Sequence, residues 1–379
     1  MADDDSEYGL SPQVSIPRVP APDLPWQVRL PSSYRPKIGL IGAGGIAEYH
    51  LRAYRALGLD VAGIANRTIA RAGQRRDAFY PDATVTADYR ELLKRDDIEV
   101  VDITLPPEVR SEAIEAALTA GKHVLSQKPF AVDLDEAERL VALADKCGRR
   151  LAVNQNGRWA PHVAFAREAI RAGLLGKIAT VDLQLAFDHS WTAGTPFEEI
   201  HHLILYDFGV HWFDMASCYL GESHIEEVYA TTARAPHQAA RPPFLASAVL
   251  SGPEAQARIS FNAATTYGQS DRTLICGTLG TLHAFGPSLS SQQVVLSTAA
   301  GECQPELPGT WFTNGFQGAM AELLCAIEED REPSHSGRNN LRTLEFCFAA
   351  LASADWRQPV RPGDVRWVPE NSRSRPASL

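Results

Sequence analysis

The chain has 379 residues, 45% of them hydrophobic and 22% charged, and its 36 Lys and Arg against 46 Asp and Glu leave a formal net charge of −10. That length fits roughly two or three domains with a sizeable core. The acidic balance argues against a nucleic-acid binder, which needs a basic face to displace counterions, and against docking on anionic lipid.

No apolar run approaches the ~18 residues that a bilayer span requires. Cys147, Cys218, Cys276, Cys303, Cys325 and Cys347 form no C-x-x-C pair. They read as small buried thiols in a reducing compartment rather than a disulfide framework or zinc ribbon. The opening Met-Ala-Asp-Asp-Asp lacks the basic and apolar segments of an export signal, so the cytoplasm is the expectation.

Residues 1–36 form a proline-rich arm that can be neither helix nor central strand. Leu24, Trp26, Val28 and Leu30 alternate there and give an extended strap something to bury. From Lys37 to Val153, short apolar runs (38–41, 61–65, 84–86, 100–104, 123–126, 151–153) alternate with helical segments (46–57, 69–79, 89–93, 108–120, 133–147). That succession calls for a parallel sheet covered on both faces. After Asn154 the pattern changes. One helix (163–172) leads into strands at 178–187, 225–233, 244–251, 255–263, 272–276, 281–285 and 292–297. Helices at 316–329 and 339–354 close the chain. The reading is an α/β domain over 37–153, an α+β domain on a mostly antiparallel sheet over 154–370, and a flexible tail over 371–379.

Gly42-Ala43-Gly44-Gly45-Ile46-Ala47 is a G-x-G-x-x-A loop between an apolar strand and a helix. Gly42 suits the tight turn, Gly44 and Gly45 let backbone approach a pyrophosphate, and small Ala47 lets helix and strand pack. The acid that usually meets the ribose hydroxyl is missing. Asn66 and Arg67 stand in that region, which tilts the choice between NAD and NADP toward NADP.

Lys128 closes a parallel strand before Pro129, at the end that lines the ligand crevice in such sheets. Asp207 and His211 are four apart, on one face of a helix if Asp207 begins it, and form a proton-handling pair. A metal held by His201, His202, His211 and Asp207 is the competing reading. No H-x-x-x-H or H-E-x-x-H run supports it, and no metal is expected.

Together these features resemble the Gfo/Idh/MocA family of oxidoreductases, from about Pro36 to residue 355. The resemblance rests on the 42–47 loop, the Thr104-Leu105-Pro106 and Lys128-Pro129 turns, Asp207-x-x-x-His211-x-x-Asp214, and the closing Phe316…Glu322-Leu323…Ala326-Ile327-Glu328 helix. The family's usual Glu-Lys-Pro is Gln127-Lys128-Pro129 here, which bears on how Lys128 is oriented.

The resemblance implies a doubly wound Rossmann domain that binds NAD or NADP, with Thr104, Leu105, Pro106, Gln127 and Asn156 beside the cofactor. It implies an open C-terminal sheet that supplies the substrate site and a homo-oligomer contact. Lys128 would orient a substrate hydroxyl or carbonyl, His211 would exchange its proton, and Asp207 would bind substrate or tune the pair. Arg158 and Trp159 match a family segment expected to border the cleft. For a sugar or polyol, Trp159, Trp191, His189, His201, His202, Tyr206 and Asn314 are the candidate platforms and donors. Two alternatives stand beside a dehydrogenase. One is a glycosidase that oxidises its sugar transiently with bound NAD. The other is a non-catalytic sensor, against which the retained Lys128 and His211 argue.

Overall fold

Buried apolar strands make the first half of the fold. β1 (Lys37–Ile41), β2 (Asp60–Ala65), β3 (Thr84–Thr86), β4 (Ile98–Ile103), β5 (His123–Ser126) and β6 (Leu151–Val153) pair in parallel, in the order β3-β2-β1-β4-β5-β6. A computed structural model describes residues 16–368 of the chain. The tail expected over 371–379 and the first 15 residues of the arm lie outside the described residues.

Helices α1 (Ala47–Ala56), α2 (Ile69–Phe79), α3 (Tyr89–Leu93), α4 (Pro107–Thr119) and α5 (Leu134–Cys147) connect these strands. Parallel strands need such crossovers, and the crossovers cover the sheet on both faces. Local chemistry sets their ends. The Asp133 carboxylate caps α5 by accepting from the Asp135 and Glu136 backbone N–H groups, and Gly148 stops it in a left-handed conformation (φ 61°).

The second half begins with α6 (Pro161–Arg171) and β7 (Ile178–Ala186), followed by α7 (Val210–Leu220). Strands β8 (Glu227–Ala233), β9 (Leu245–Ser251), β10 (Gln256–Asn262), β11 (Ser270–Gly277), β12 (Gly280–Ser288), β13 (Ser291–Thr298) and β14 (Gly301–Cys303) come next. They join β7 in the order β14-β13-β12-β11-β7-β10-β9-β8, all antiparallel except the β7–β10 pair. β14 was not foreseen, because three residues carry no readable alternation. Along β10 burial alternates residue by residue, as a sheet with one covered face requires.

Helices α8 (Trp311–Glu328) and α9 (Gly337–Trp356) end the fold. Phe316, Met320, Leu323 and Leu324 of α8 belong to the same apolar cluster as Ile38, Leu51, Tyr54 and Val100. A helix from the end of the chain therefore completes the core of the first domain.

From residue 16 the arm is an extended strap. Pro22, Leu24, Trp26, Val28 and Leu30 are half-buried while the residues between them are exposed. Val19 donates its N–H to Glu302 O at 2.9 Å, and the Glu328 carboxylate accepts from the backbone N–H groups of Ser32, Ser33 and Tyr34 at 2.6–2.9 Å. All six cysteines are free thiols. Among the described residues no helix is long and apolar enough to cross a membrane.

Candidate active site

The glycine loop lies between the ends of β1 and β4, where the strand order reverses and a crevice opens. Gly42 has φ 103°, and a Cβ there would meet Thr104 Oγ1 at 2.7 Å, so only glycine fits. A Cβ at Gly44 or Gly45 would meet nothing within 4 Å: both face open space, as a phosphate cradle must. Thr104 Oγ1 donates to Gly42 O at 3.0 Å and braces the turn.

Asn66 is engaged with the loop itself. Its Oδ1 accepts from the Ala43 N–H at 3.0 Å and its Nδ2 donates to Thr68 O at 2.9 Å. Arg67 is exposed. Arg75, which the sequence reading missed, donates to Gly44 O at 3.2 Å and to the Glu48 carboxylate at 2.6 Å. Its hydrogen bond, with that of Arg52, holds the Glu48 carboxyl below the usual carboxylate range.

The Gln127-Lys128 turn is held from below. Gln127 Oε1 accepts the Lys128 N–H at 2.7 Å, and its Nε2 lies 3.0 Å from His50 Nε2. His50 Nδ1 lies 2.7 Å from Asp102 Oδ2, which also accepts the Tyr54 hydroxyl at 2.6 Å. The amide at position 127 thus orients the lysine through a buried polar chain. The buried Arg110 guanidinium donates to the carbonyls of Leu105, Gln127 and Pro129 and ties the two turns together.

Lys128 Nζ reaches across to the second domain and donates to Asp207 O at 2.7 Å and Asp207 Oδ1 at 3.3 Å. Asp207 sits in a π-helical turn, Ile204–Phe208, and α7 starts only at Val210. The expectation that Asp207 begins the helix is therefore corrected: the turn takes one extra residue. At Gly209 a Cβ would meet Leu205 O at 2.4 Å, so the backbone of this widened turn leaves no room for a side chain there. His211 follows in the first turn of α7. Burial, then the Lys128 charge, push His211 well below 6.5 and keep its imidazole neutral.

Lys128, Asp207 and His211 line one cavity of about 500 Å³ together with Ile46, Gln127 and Asn156. His189 and Trp191 also line it, and burial lowers His189 to about 4. Much of the remaining wall is aromatic and was largely missed: Phe187, Phe197, Phe208, Trp212, Trp311, Phe312 and Phe316. Their spacing alone could not separate cleft from core. Trp311 donates its indole N–H to Asn156 Oδ1 at 3.2 Å. Gln269, Ser270, Asp271, Ser288 and Ser290 are polar residues of this wall that were also missed.

Other expected residues lie elsewhere. Arg158 is buried in a bidentate ion pair with Asp214 at 2.6–2.7 Å, so it does not face substrate. Trp159 packs against His335, with ring centroids 4.9 Å apart, and lies outside the cleft wall. His201 and His202 both turn to Asp355, at 3.1 and 2.8 Å, rather than to Asp207 or His211. The metal-type cluster found among the described residues is that His201–His202–Asp355 group, away from the cleft. Tyr206 is buried with no partner for its hydroxyl, and Asn314 Oδ1 accepts the Thr310 N–H; neither lines the cavity.

Comparison with known proteins matches residues 36–155 to the family model described as "Oxidoreductase family, NAD-binding Rossmann fold". Residues 163–283 match the model described as "GFO/IDH/MocA C-terminal domain". An inositol 2-dehydrogenase of Rhizobium meliloti is 28% identical over 342 residues, covering 85% of this chain and 98% of its own length. A D-apiose dehydrogenase of Paraburkholderia graminis is 26% identical over 334 residues, covering 84% and 87%. A levoglucosan dehydrogenase solved with NADH and levoglucosan superposes with a TM-score of 0.75 at 22% identity, covering 87% of this chain and all of that one, and shows the shared fold.

Proposed function

The chain belongs to the Gfo/Idh/MocA family of oxidoreductases, and on that premise we propose that it moves a hydride between a nicotinamide and a hydroxyl-bearing carbon of a sugar, sugar acid or inositol-like polyol. The observation that carries this reading is the contact of Lys128 with Asp207 beside His211, across the two domains and on one cavity. A bound nicotinamide supplies the hydride acceptor or donor.

The ammonium of Lys128 has three N–H donors and gives two of them to Asp207, so one remains for the substrate oxygen. That donor stabilises charge developing on the oxygen as its proton leaves. Neutral His211 receives the proton in oxidation and returns it in reduction. Asp207 fixes the lysine and balances its charge. The aromatic wall receives the C–H faces of a sugar ring. The exposed Arg67, with no acid in the ribose position, supports NADP ahead of NAD. On the outer face of the second sheet Tyr229 and Val249 are paired and exposed, which supports a contact between copies.

The test is a polyol and sugar panel run with NAD⁺ and with NADP⁺, following the absorbance of the reduced nicotinamide and glycoside cleavage in parallel. Lys128→Ala is expected to abolish turnover while dinucleotide binding survives. Glycoside cleavage without net nicotinamide reduction would replace this reading by the transient-oxidation one. Turnover retained by Lys128→Ala would refute the chemistry.

A further inference from the structure

Asp271 stands near the start of β11, directly opposite Leu185 of β7 and Gly286 of β12. Its parity in the strand is that of Thr273 and Ile275, so it points to the covered face of the sheet, whose other strands present apolar side chains. It is 5% exposed. Among the described residues its carboxyl has no ion-pair partner, and burial alone acts on it, lifting it to about 7. An unpaired carboxyl in such a place opposes folding and marks a group retained for another reason.

The carboxyl is not sealed in. Asp271 lines the cavity shared by Lys128, Asp207 and His211, and its oxygens are absent from the buried atoms that lack both partner and access. Lys128, Asp207 and Asp271 are the charged side chains of that wall. The first two satisfy each other, which leaves Asp271 as the unengaged acceptor. Tyr219 on α7 lies close enough to feel its charge, and His189 and His211 share the cavity wall with it. Burial keeps both imidazoles neutral and the phenol protonated, so none supplies a counter-charge.

We propose that Asp271 is a substrate-binding carboxylate and that the substrate is a ring polyol, which gives it two neighbouring hydroxyls while a third hydroxyl is held by Lys128 and His211. This rests on the dehydrogenase reading above and narrows it. The two carboxylate oxygens match a vicinal diol, each accepting one O–H, and the aromatic walls take the ring faces between the two polar ends. A substrate with a single hydroxyl leaves the carboxylate desolvated and unpaired, so the site rejects it.

The experiment compares wild type, Asp271→Asn and Asp271→Ser on the best polyol of the panel and on its analogue lacking one hydroxyl of the diol. Thermal midpoints show that each variant is folded. Both variants are expected to raise KM about 10- to 100-fold, with a smaller effect on kcat. The deoxy analogue should show a similar penalty with wild type and little further penalty with the variants. Wild-type kcat/KM should rise with pH up to about 7, where the carboxylate forms, and the variants should lose that limb. Unchanged KM and an unchanged pH profile overturn the proposal while turnover itself keeps the dehydrogenase reading. Turnover by Lys128→Ala overturns that reading independently. A wild-type enzyme that accepts no polyol overturns both.

Discussion

Replacing Asp214 by Ala is the sharpest test of how the second domain is held. Arg158 gives Nε to Asp214 Oδ2 at 2.7 Å and Nη2 to Oδ1 at 2.6 Å, and each side chain is 2% exposed. The guanidinium also donates to Ser334 O at 2.5 Å and Asn339 Oδ1 at 2.6 Å, while Thr343 Oγ1 donates to Asp214 Oδ1 at 3.1 Å. Removing the carboxylate leaves a buried cation with two neutral acceptors, and breaking such a pair costs about 3–5 kcal/mol. That is a large share of the ~5–15 kcal/mol that holds a typical domain. Urea unfolding followed by tryptophan fluorescence and by circular dichroism measures the loss. The pair does not line the cleft, so kcat/KM under native conditions should stay within about threefold of wild type. An Arg158→Met/Asp214→Leu double variant should recover much of the stability, because neither buried charge then remains. A cost below about 1 kcal/mol, or a collapse of kcat/KM at unchanged stability, would refute the structural role and return Arg158 to the substrate.

His211→Asn should lower kcat/KM by about 10²–10⁴-fold with dinucleotide affinity retained, and a loss under about tenfold removes it as proton acceptor. Because burial and Lys128 hold its imidazole well below 6.5, Asp271→Asn, which lacks the carboxylate limb near 7, should keep its activity in acid until the pH is well under 6.5, which a pH–rate profile of that variant checks. Gly42→Ala forces a Cβ onto Thr104 Oγ1 in left-handed backbone, at a cost of about 1–3 kcal/mol, so dinucleotide affinity and the thermal midpoint should both drop. Asp271 is held at about 7 against an ordinary 3.8, so the folded state keeps its proton longer than the unfolded chain. The destabilisation is absent below the lower value, grows between the two and is full above about pH 7. Asp271→Asn should thus gain up to about 4 kcal/mol over wild type near pH 8 and nothing near pH 3, and equal unfolding curves at both pH values would contradict this.

Periodicity carried the fold well, because alternation and 3.6-residue spacing are imprinted locally. The arm shows it: Leu24, Trp26, Val28 and Leu30 face inward and their neighbours do not. The side chains that meet on the cavity, Lys128, Asp207 and His211, could be named from the sequence as well, since a glycine loop after a strand and a lysine at a strand end have few structural settings. What stayed hidden were pairings between distant segments. Nothing near Arg158 points to Asp214, 56 positions on, or near His202 to Asp355, 153 positions on. A basic or imidazole side chain named only by its type is equally suited to a cleft and to a buried partner. Asp271 left a trace, an acid in register with Thr273 and Ile275, but with that strand expected to begin at Arg272 its parity went unread.

The way α8 docks has a consequence for dissection of the molecule. Its Phe316, Met320, Leu323 and Leu324 fill a gap that the nucleotide-binding half cannot close with its own residues. A fragment cut at the boundary after β6 would expose that gap to water and gather into aggregates rather than fold. The intact chain should instead melt in a single cooperative transition that dinucleotide raises as a whole, since the two halves share one seam.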